Sequence, residues 1–249
     1  MKLYHGTSET RLHAILRDGI VPRGERDDEG QWENAPSRPD CVYLTQLYAP
    51  YFALAACENG ERWAILEIDT DELDEEQFLP DEDWLEQQLR AEGHDAGLGH
   101  PEGASMKERT AICRENLEFF QEYWRDSLKG LGNCSYQDAI PVEAIKRIAL
   151  VDSKEAWFLD QATDPCISLM NCAVMRQKYE NIIDWVFGGK LDACRVVAGL
   201  FGLDLPAEEV RKMAAHFHDV EQLTKLQQHL DARPGIEVLT GAEFLSGKG

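Results

Sequence analysis

Met1-Lys2-Leu3-Tyr4-His5-Gly6-Thr7-Ser8-Glu9-Thr10-Arg11-Leu12-His13-Ala14-Ile15-Leu16 is the stretch from which the fold is read. Leu3 and Tyr4 suit a short extended segment, and Gly6 permits a backbone with φ > 0. Thr7 or Ser8 can cap a helix whose Leu12, Ile15 and Leu16 form one apolar face, and Gly19 stops that helix. The pattern predicts His5 and Gly6 at the exit of a strand and the mouth of a helix. Unpaired N–H groups and a partial positive charge at such a point can grip an amide, a ribose hydroxyl or a phosphate. On these residues alone, the other reading is an ordinary N-cap preceded by a packed histidine.

Beyond Ile20–Pro22, residues 23–39 read as a polar loop around one aromatic, Trp32, of the kind that more often covers a site than builds a core. Residues 41–45 read as a strand and 49–57 as a helix. Residues 63–68 read as a strand whose continuous apolar centre implies burial on both faces. Pro80-Asp81-Glu82-Asp83 opens a helix through about Arg90, with Pro at the entrance and acids in the first turn. Residues 93–105, with four glycines, form a flexible connection. A helix is predicted from about 107 to 129, burying Ile112, Leu117, Phe120 and Trp124 or close neighbours, and ended by Gly130 and Gly132. Residues 134–140 and 145–151 read as strands. After Asp152 the pattern becomes helical, at about 167–186, 190–200, 206–216 and 219–231. The expectation is an α+β domain over 1–152, with an acidic helical insertion at about 71–130, followed by a helical C-terminal lobe over 153–249.

With 249 residues, 43% hydrophobic content and six tryptophans, the chain can bury a proper core. Its formal net charge is -21, and residues 69–92 hold eleven Asp or Glu against Arg90 alone. Such a surface repels phosphate backbones and disfavours broad nucleic-acid binding, while leaving room for a local basic cleft or a basic protein partner. Seven cysteines form no C-x-x-C pair. With no signal-peptide pattern and no apolar run of membrane-spanning length, the expected location is cytoplasmic, with no membrane partner.

A metal site is not expected. His94 and His100 lie in the Gly-rich loop, and His216 and His218 point apart on a helix. Cys41 and Cys134 read as small buried hydrophobes, with no histidine in a recognisable partner motif. No nucleophile elbow, Walker loop or Gly-x-Gly-x-x-Gly turn occurs. The Asp81-Glu82-Asp83 cluster can hold a cation, but a solvated helix start is the favoured reading.

The ordered set that remains is Leu3-Tyr4-His5-Gly6-Thr7 with Ala14-Ile15-Leu16 and Gly19-Ile20, then Val42-Tyr43-Leu44-Thr45 and Ala49-Pro50-Tyr51-Phe52-Ala53. It resembles the NAD-binding half of ADP-ribosyltransferases of the His-Tyr-Glu type, which include poly(ADP-ribose) polymerases and diphtheria-like toxins. The match covers roughly residues 3–70, and residues 138–151 resemble the last strands of the same split β-sheet fold. The resemblance implies NAD as co-substrate, with no metal. It implies that His5 orients the nicotinamide ribose, Gly6 holds the carboxamide, and Tyr43 with Tyr51 or Phe52 stacks the ring. It also implies that Arg23 contacts the adenosine end, and Trp32 is a candidate lid over the adenine. The cofactor-binding set is therefore His5, Gly6, Thr7, Arg23, Tyr43, Tyr51 and Phe52. Cleaving the nicotinamide–ribose bond builds oxocarbenium-like charge, so the ring must be fixed and the ribose braced.

The chain departs from the pattern at the third position. Residues 133–138 read Asn-Cys-Ser-Tyr-Gln-Asp, with no Glu. Aligning backward from Ile140 puts Cys134 nearest the expected place, and only Gln137 and Asp138 can play a similar polar part. The catalytic set is His5, Tyr43 and Gln137. Mono-transfer survives that loss better than chain elongation, which needs an activated ribose hydroxyl.

The implied function is mono-ADP-ribosylation of a macromolecular acceptor, a protein or an exposed nucleic-acid base, by a bacterial toxin or anti-phage defence effector with an antitoxin or other protein partner. The missing Glu motivates an alternative, an NAD-fold interaction module without turnover. A second enzymatic alternative is the NAD-dependent RNA 2′-phosphotransferase, which shares the fold. It ranks lower because no basic cluster surrounds the motifs.

Overall fold

The structure is a computed structural model, and it describes residues 1–26, 37–58, 60–93, 97–152, 183, 186–187 and 236–247. The protein is mixed α+β. Among the described residues the strands are β1 (Lys2–Ser8), β2 (Cys41–Thr45), β3 (Trp63–Asp69), β4 (Phe78–Pro80), β5 (Asn133–Gln137), β6 (Ile145–Val151) and β7 (Ile236–Leu239). The helices among the described residues are α1 (Leu12–Asp18), α2 (Ala49–Ala56), α3 (Glu82–Glu92), α4 (Met106–Glu115), α5 (Trp124–Gly130) and α6 (Gly241–Leu245). The seven strands form one open sheet in the order β4-β5-β2-β1-β3-β6-β7. The chain divides into two compact units, one of residues 1–3, 13–46 and 68–145, the other of residues 4–12, 47–67 and 146–249.

In the first unit, β5 pairs antiparallel with both β2 and β4, with Tyr43 opposite Ser135 and Cys41 opposite Gln137. Leu79, Trp84, Leu85, Leu89, Cys113 and Leu117 make its apolar cluster, against which the Tyr43 ring packs. Gly19 ends α1 as the sequence predicts. Its φ is +86°, and a Cβ there would lie 2.4 Å from the Ile140 carbonyl oxygen, so only glycine fits. Ile20 and Ile140 then exchange two backbone hydrogen bonds of 2.9 Å.

In the second unit, β3 is buried along all but its last residue, matching its continuous apolar run. Its one acid within the run, Glu67, is 2% exposed and is bonded by Arg147, whose Nε donates to Oε1 at 3.0 Å. Strand β7 pairs antiparallel with β6, Val151 opposite Ile236.

Four expectations need correction. First, β1 continues through Ser8, and the 3-10 turn Glu9–Arg11 separates it from α1, so His5 and Gly6 lie inside a strand and not at a helix mouth. Ser8 makes no capping bond; its hydroxyl lies 3.0 Å from that of Thr10. Second, Gly6 is not among the residues with positive φ; its lack of a side chain serves close packing instead. Third, the helix predicted over 107–129 breaks at Asn116, whose amide donates to the Ile112 carbonyl at 2.8 Å, and the chain runs on as the 3-10 segment Leu117–Tyr123 before α5. Fourth, β4 and β7 were not expected from the sequence. Of the helices predicted after Asp152, residues 167–182, 190–200, 206–216 and 219–231 lie outside the described residues, as do Trp32, His94, His216 and His218.

Candidate functional site

In the first unit, Tyr43 stands at the centre of a polar chain. Its side chain shares a face of the sheet with Cys41 and Thr45, because alternate residues of a strand point the same way. The Tyr43 hydroxyl donates to Glu82, whose carboxylate oxygens lie 2.8 and 2.7 Å away, and it accepts the Arg38 backbone N–H at 3.0 Å. The Arg38 guanidinium grips Asp40, Nε to Oδ1 at 2.7 Å and Nη2 to Oδ2 at 2.9 Å, and also bonds Glu118. Asp40 in turn accepts the Gln137 amide at 3.0 Å. Tyr43 and Gln137, two of the three residues assigned to catalysis, are thus linked through Arg38 and Asp40. The Gln137 amide is engaged with Asp40, so it serves at least in part to fix that carboxylate.

Glu82 begins α3, and the local sequence explains its placement. Asp81 caps the helix, its carboxylate accepting the N–H groups of Asp83 at 2.9 Å and Trp84 at 3.3 Å. The Asp81 N–H donates to Ser127 Oγ at 2.9 Å, and Ser127 donates to the Asn133 carbonyl at 2.8 Å, which locks the helix start to α5 and β5. Asp81 and Glu82 are therefore not the solvated acids expected, being only 6% and 8% exposed, while Asp83 is half-buried. Burial pushes the Glu82 carboxyl up to about 7, although the Tyr43 hydroxyl opposes the rise. Burial and the neighbouring carboxylates raise Asp81 well above the ordinary range. Burial and the Glu82 charge likewise raise the Tyr43 phenol. Salt bridging by Arg38 acts oppositely on the more open Asp40 and Glu118, holding both below the usual carboxylate range.

Cys134, the residue nearest the expected third catalytic position, is fully buried, and burial raises its thiol far above the ordinary value. Such a thiol is a packing group and not a nucleophile. Asp138 follows β5 with φ +122°, the sole non-glycine in that region among the described residues, and its own carboxylate accepts the Ala139 N–H at 2.6 Å. Arg23 lies in the 3-10 turn Arg23–Glu25 and donates to the Ser37 carbonyl at 2.9 Å.

The remaining assigned residues belong to the second unit. His5 and Gly6 are partly buried in β1, and Thr7 is 2% exposed. A Cβ on Gly6 would lie 2.1 Å from the Ala49 oxygen, 2.4 Å from the Ala53 nitrogen and 3.0 Å from the Phe52 carbonyl carbon. The His-Gly step is therefore laid directly on the backbone of α2, which carries Tyr51 and Phe52. Tyr51 is buried and meets Phe52 edge-on, with ring centroids 5.6 Å apart.

Among the described residues no three or more His, Cys, Asp or Glu side chains are arranged to hold a metal ion, and no helix is long and apolar enough to cross a membrane. The sequence assigns Glu82 no part beyond that of an acid at a helix start, because its partner Tyr43 lies 39 residues away along the chain. No protein-family model, curated protein or solved structure matches the chain.

Proposed function

We propose that the protein binds NAD and transfers a single ADP-ribose to a macromolecular acceptor, on a fold of the ADP-ribosyltransferase kind. The observation that carries this reading is that motifs far apart in sequence meet in pairs, as the resemblance to that family requires. In one unit the Cys41–Thr45 strand lies in register against residues 133–137, the two segments to which the family's Tyr and third catalytic residue belong. In the other, Gly6 lies against the helix that bears Tyr51 and Phe52. His5 is then the ribose-orienting group, Gly6 the carboxamide contact, and Tyr51 or Phe52 a stacking partner of the leaving ring. Orienting the ribose and fixing the ring are what lower the barrier to an oxocarbenium-like transition state.

The test is incubation of the full chain with NAD labelled in the nicotinamide ring. We expect release of nicotinamide, reduced about 100-fold by His5→Ala, and an added ADP-ribose detected by mass spectrometry of protein, RNA or DNA from expressing cells. NAD binding without turnover in the presence of every such extract favours the interaction module instead. The absence of Glu from residues 133–138 and the engagement of Gln137 by Asp40 support that second reading.

A further inference from the structure

Resting on the NAD reading, we infer that Glu82 is a positioning residue for Tyr43 and that its charge strengthens the hold of the Tyr43 ring on NAD. The resemblance to the His-Tyr-Glu group requires a carboxylate beside the aromatic and ribose contacts, and residues 133–138 contain none but Asp138, whose side chain turns back on the Ala139 N–H. The carboxylate bonded to Tyr43 comes instead from the start of α3, 39 residues along the chain. Both its oxygens lie within 2.8 Å of the phenol oxygen, and that oxygen also accepts the Arg38 N–H, so the ring is held from two sides.

Two consequences follow from elementary chemistry. A phenol whose proton is drawn toward a carboxylate has a more electron-rich ring, and such a ring attracts the cationic nicotinamide of NAD more strongly than a neutral one. Protonating Glu82 removes that polarisation while leaving the ring in place. The groups that face Glu82 set where this happens. Tyr43 stabilises its charge, Arg114 from α4 does the same, and burial with Asp83 beside it opposes ionisation. Asp81 interacts with Glu82 in the same repulsive sense, and the buried thiols of Cys41 and Cys113 sense its charge from β2 and α4. Burial wins this balance and pushes the carboxyl up to about 7.

Calorimetric titration of the full chain with NAD and with its reduced form, whose nicotinamide ring is uncharged, from pH 5.5 to 8.5, tests the inference. NAD affinity should rise about tenfold through neutrality while affinity for the reduced form stays flat. Glu82→Gln keeps an acceptor for the Tyr43 hydroxyl but cannot ionise, and Tyr43→Phe keeps the ring but loses the bond; each should make NAD affinity independent of pH over this range. A carbon NMR titration of the Glu82 carboxyl without NAD should show a midpoint near 7 that moves up in Tyr43→Phe, because the lost hydroxyl stabilised the charge. If wild type and Glu82→Gln bind NAD with the same pH profile, the role of Glu82 is wrong and the NAD reading stands. If no NAD binds at any pH, the NAD reading falls and this role with it. An unmoved NMR midpoint in Tyr43→Phe would refute the link between the two side chains.

Discussion

Replacing Glu82 with Gln should stabilise the folded protein at alkaline pH and leave it nearly unchanged under acid. The carboxyl titrates near 4.5 when exposed and at about 7 when folded, so over that interval the native state holds a proton that the unfolded state releases. A group of this kind makes stability fall as pH rises from the unfolded value to the folded one. At about 1.36 kcal/mol per pH unit, full ionisation costs about 3 kcal/mol, most of which accrues between pH 5 and pH 8. Glutamine occupies the same volume, accepts the Tyr43 hydroxyl and never ionises. Removing the charge also relieves Asp81, whose own ionisation Glu82 opposes, and this acts in the same direction. Carboxylates held low by arginine, among them Asp40 and Glu118, follow the opposite slope, so the absolute pH profile of wild type is not diagnostic. The difference between wild type and variant is, because those groups are common to both. Urea unfolding followed at pH 5 and pH 8 should show the variant gaining about 2–3 kcal/mol on wild type between the two conditions. A constant difference, or a variant less stable at pH 8, would refute the reasoning: it would mean that the bond from Tyr43 and the field of Arg114 outweigh desolvation.

Gly6→Ala places a methyl against backbone atoms of α2 that no rotamer change can move, so it should cost about 3 kcal/mol in urea unfolding and disturb any NAD binding with it. Arg147→Met leaves the Glu67 carboxylate buried without its guanidinium and should cost about 3 kcal/mol, most of it recovered in the double variant Arg147→Met, Glu67→Gln. Cys134 should resist alkylation at pH 8 in the native protein and react at least about 100-fold faster in urea, and Cys134→Ser should retain whatever NAD turnover wild type has.

Where the sequence could be read and where it could not follows the range of the forces involved. Strand β3 and the end of α1 were legible because their causes are local: an unbroken apolar run, and a glycine at the one φ that other residues resist. Strand β4 was not, because three residues ending in proline become a strand only by pairing with Tyr136, Ser135 and Cys134. The end of β1 was misplaced because Thr7 and Ser8 suit an extended strand as well as a cap, and the sheet takes them. Asn116 looked like an ordinary helix-interior residue, yet its amide takes the Ile112 carbonyl and ends α4.

The candidate site divides in the same way. Residue types and their order are visible for His5, Gly6 and Tyr43, whereas the resemblance places its carboxylate at 133–138, where the chain has no Glu. Read locally, Glu82 is one of many acids suited to a helix dipole, and nothing nearby signals burial. Its character comes from Ser127 and Asn133 anchoring the helix start, from the apolar cluster beneath it, and from a tyrosine hydroxyl delivered by another strand. A charge can be counted from sequence, but its ionisation depends on what surrounds it. Glu82 is therefore informative because folding removes it from water and sets its carboxylate against the Tyr43 hydroxyl.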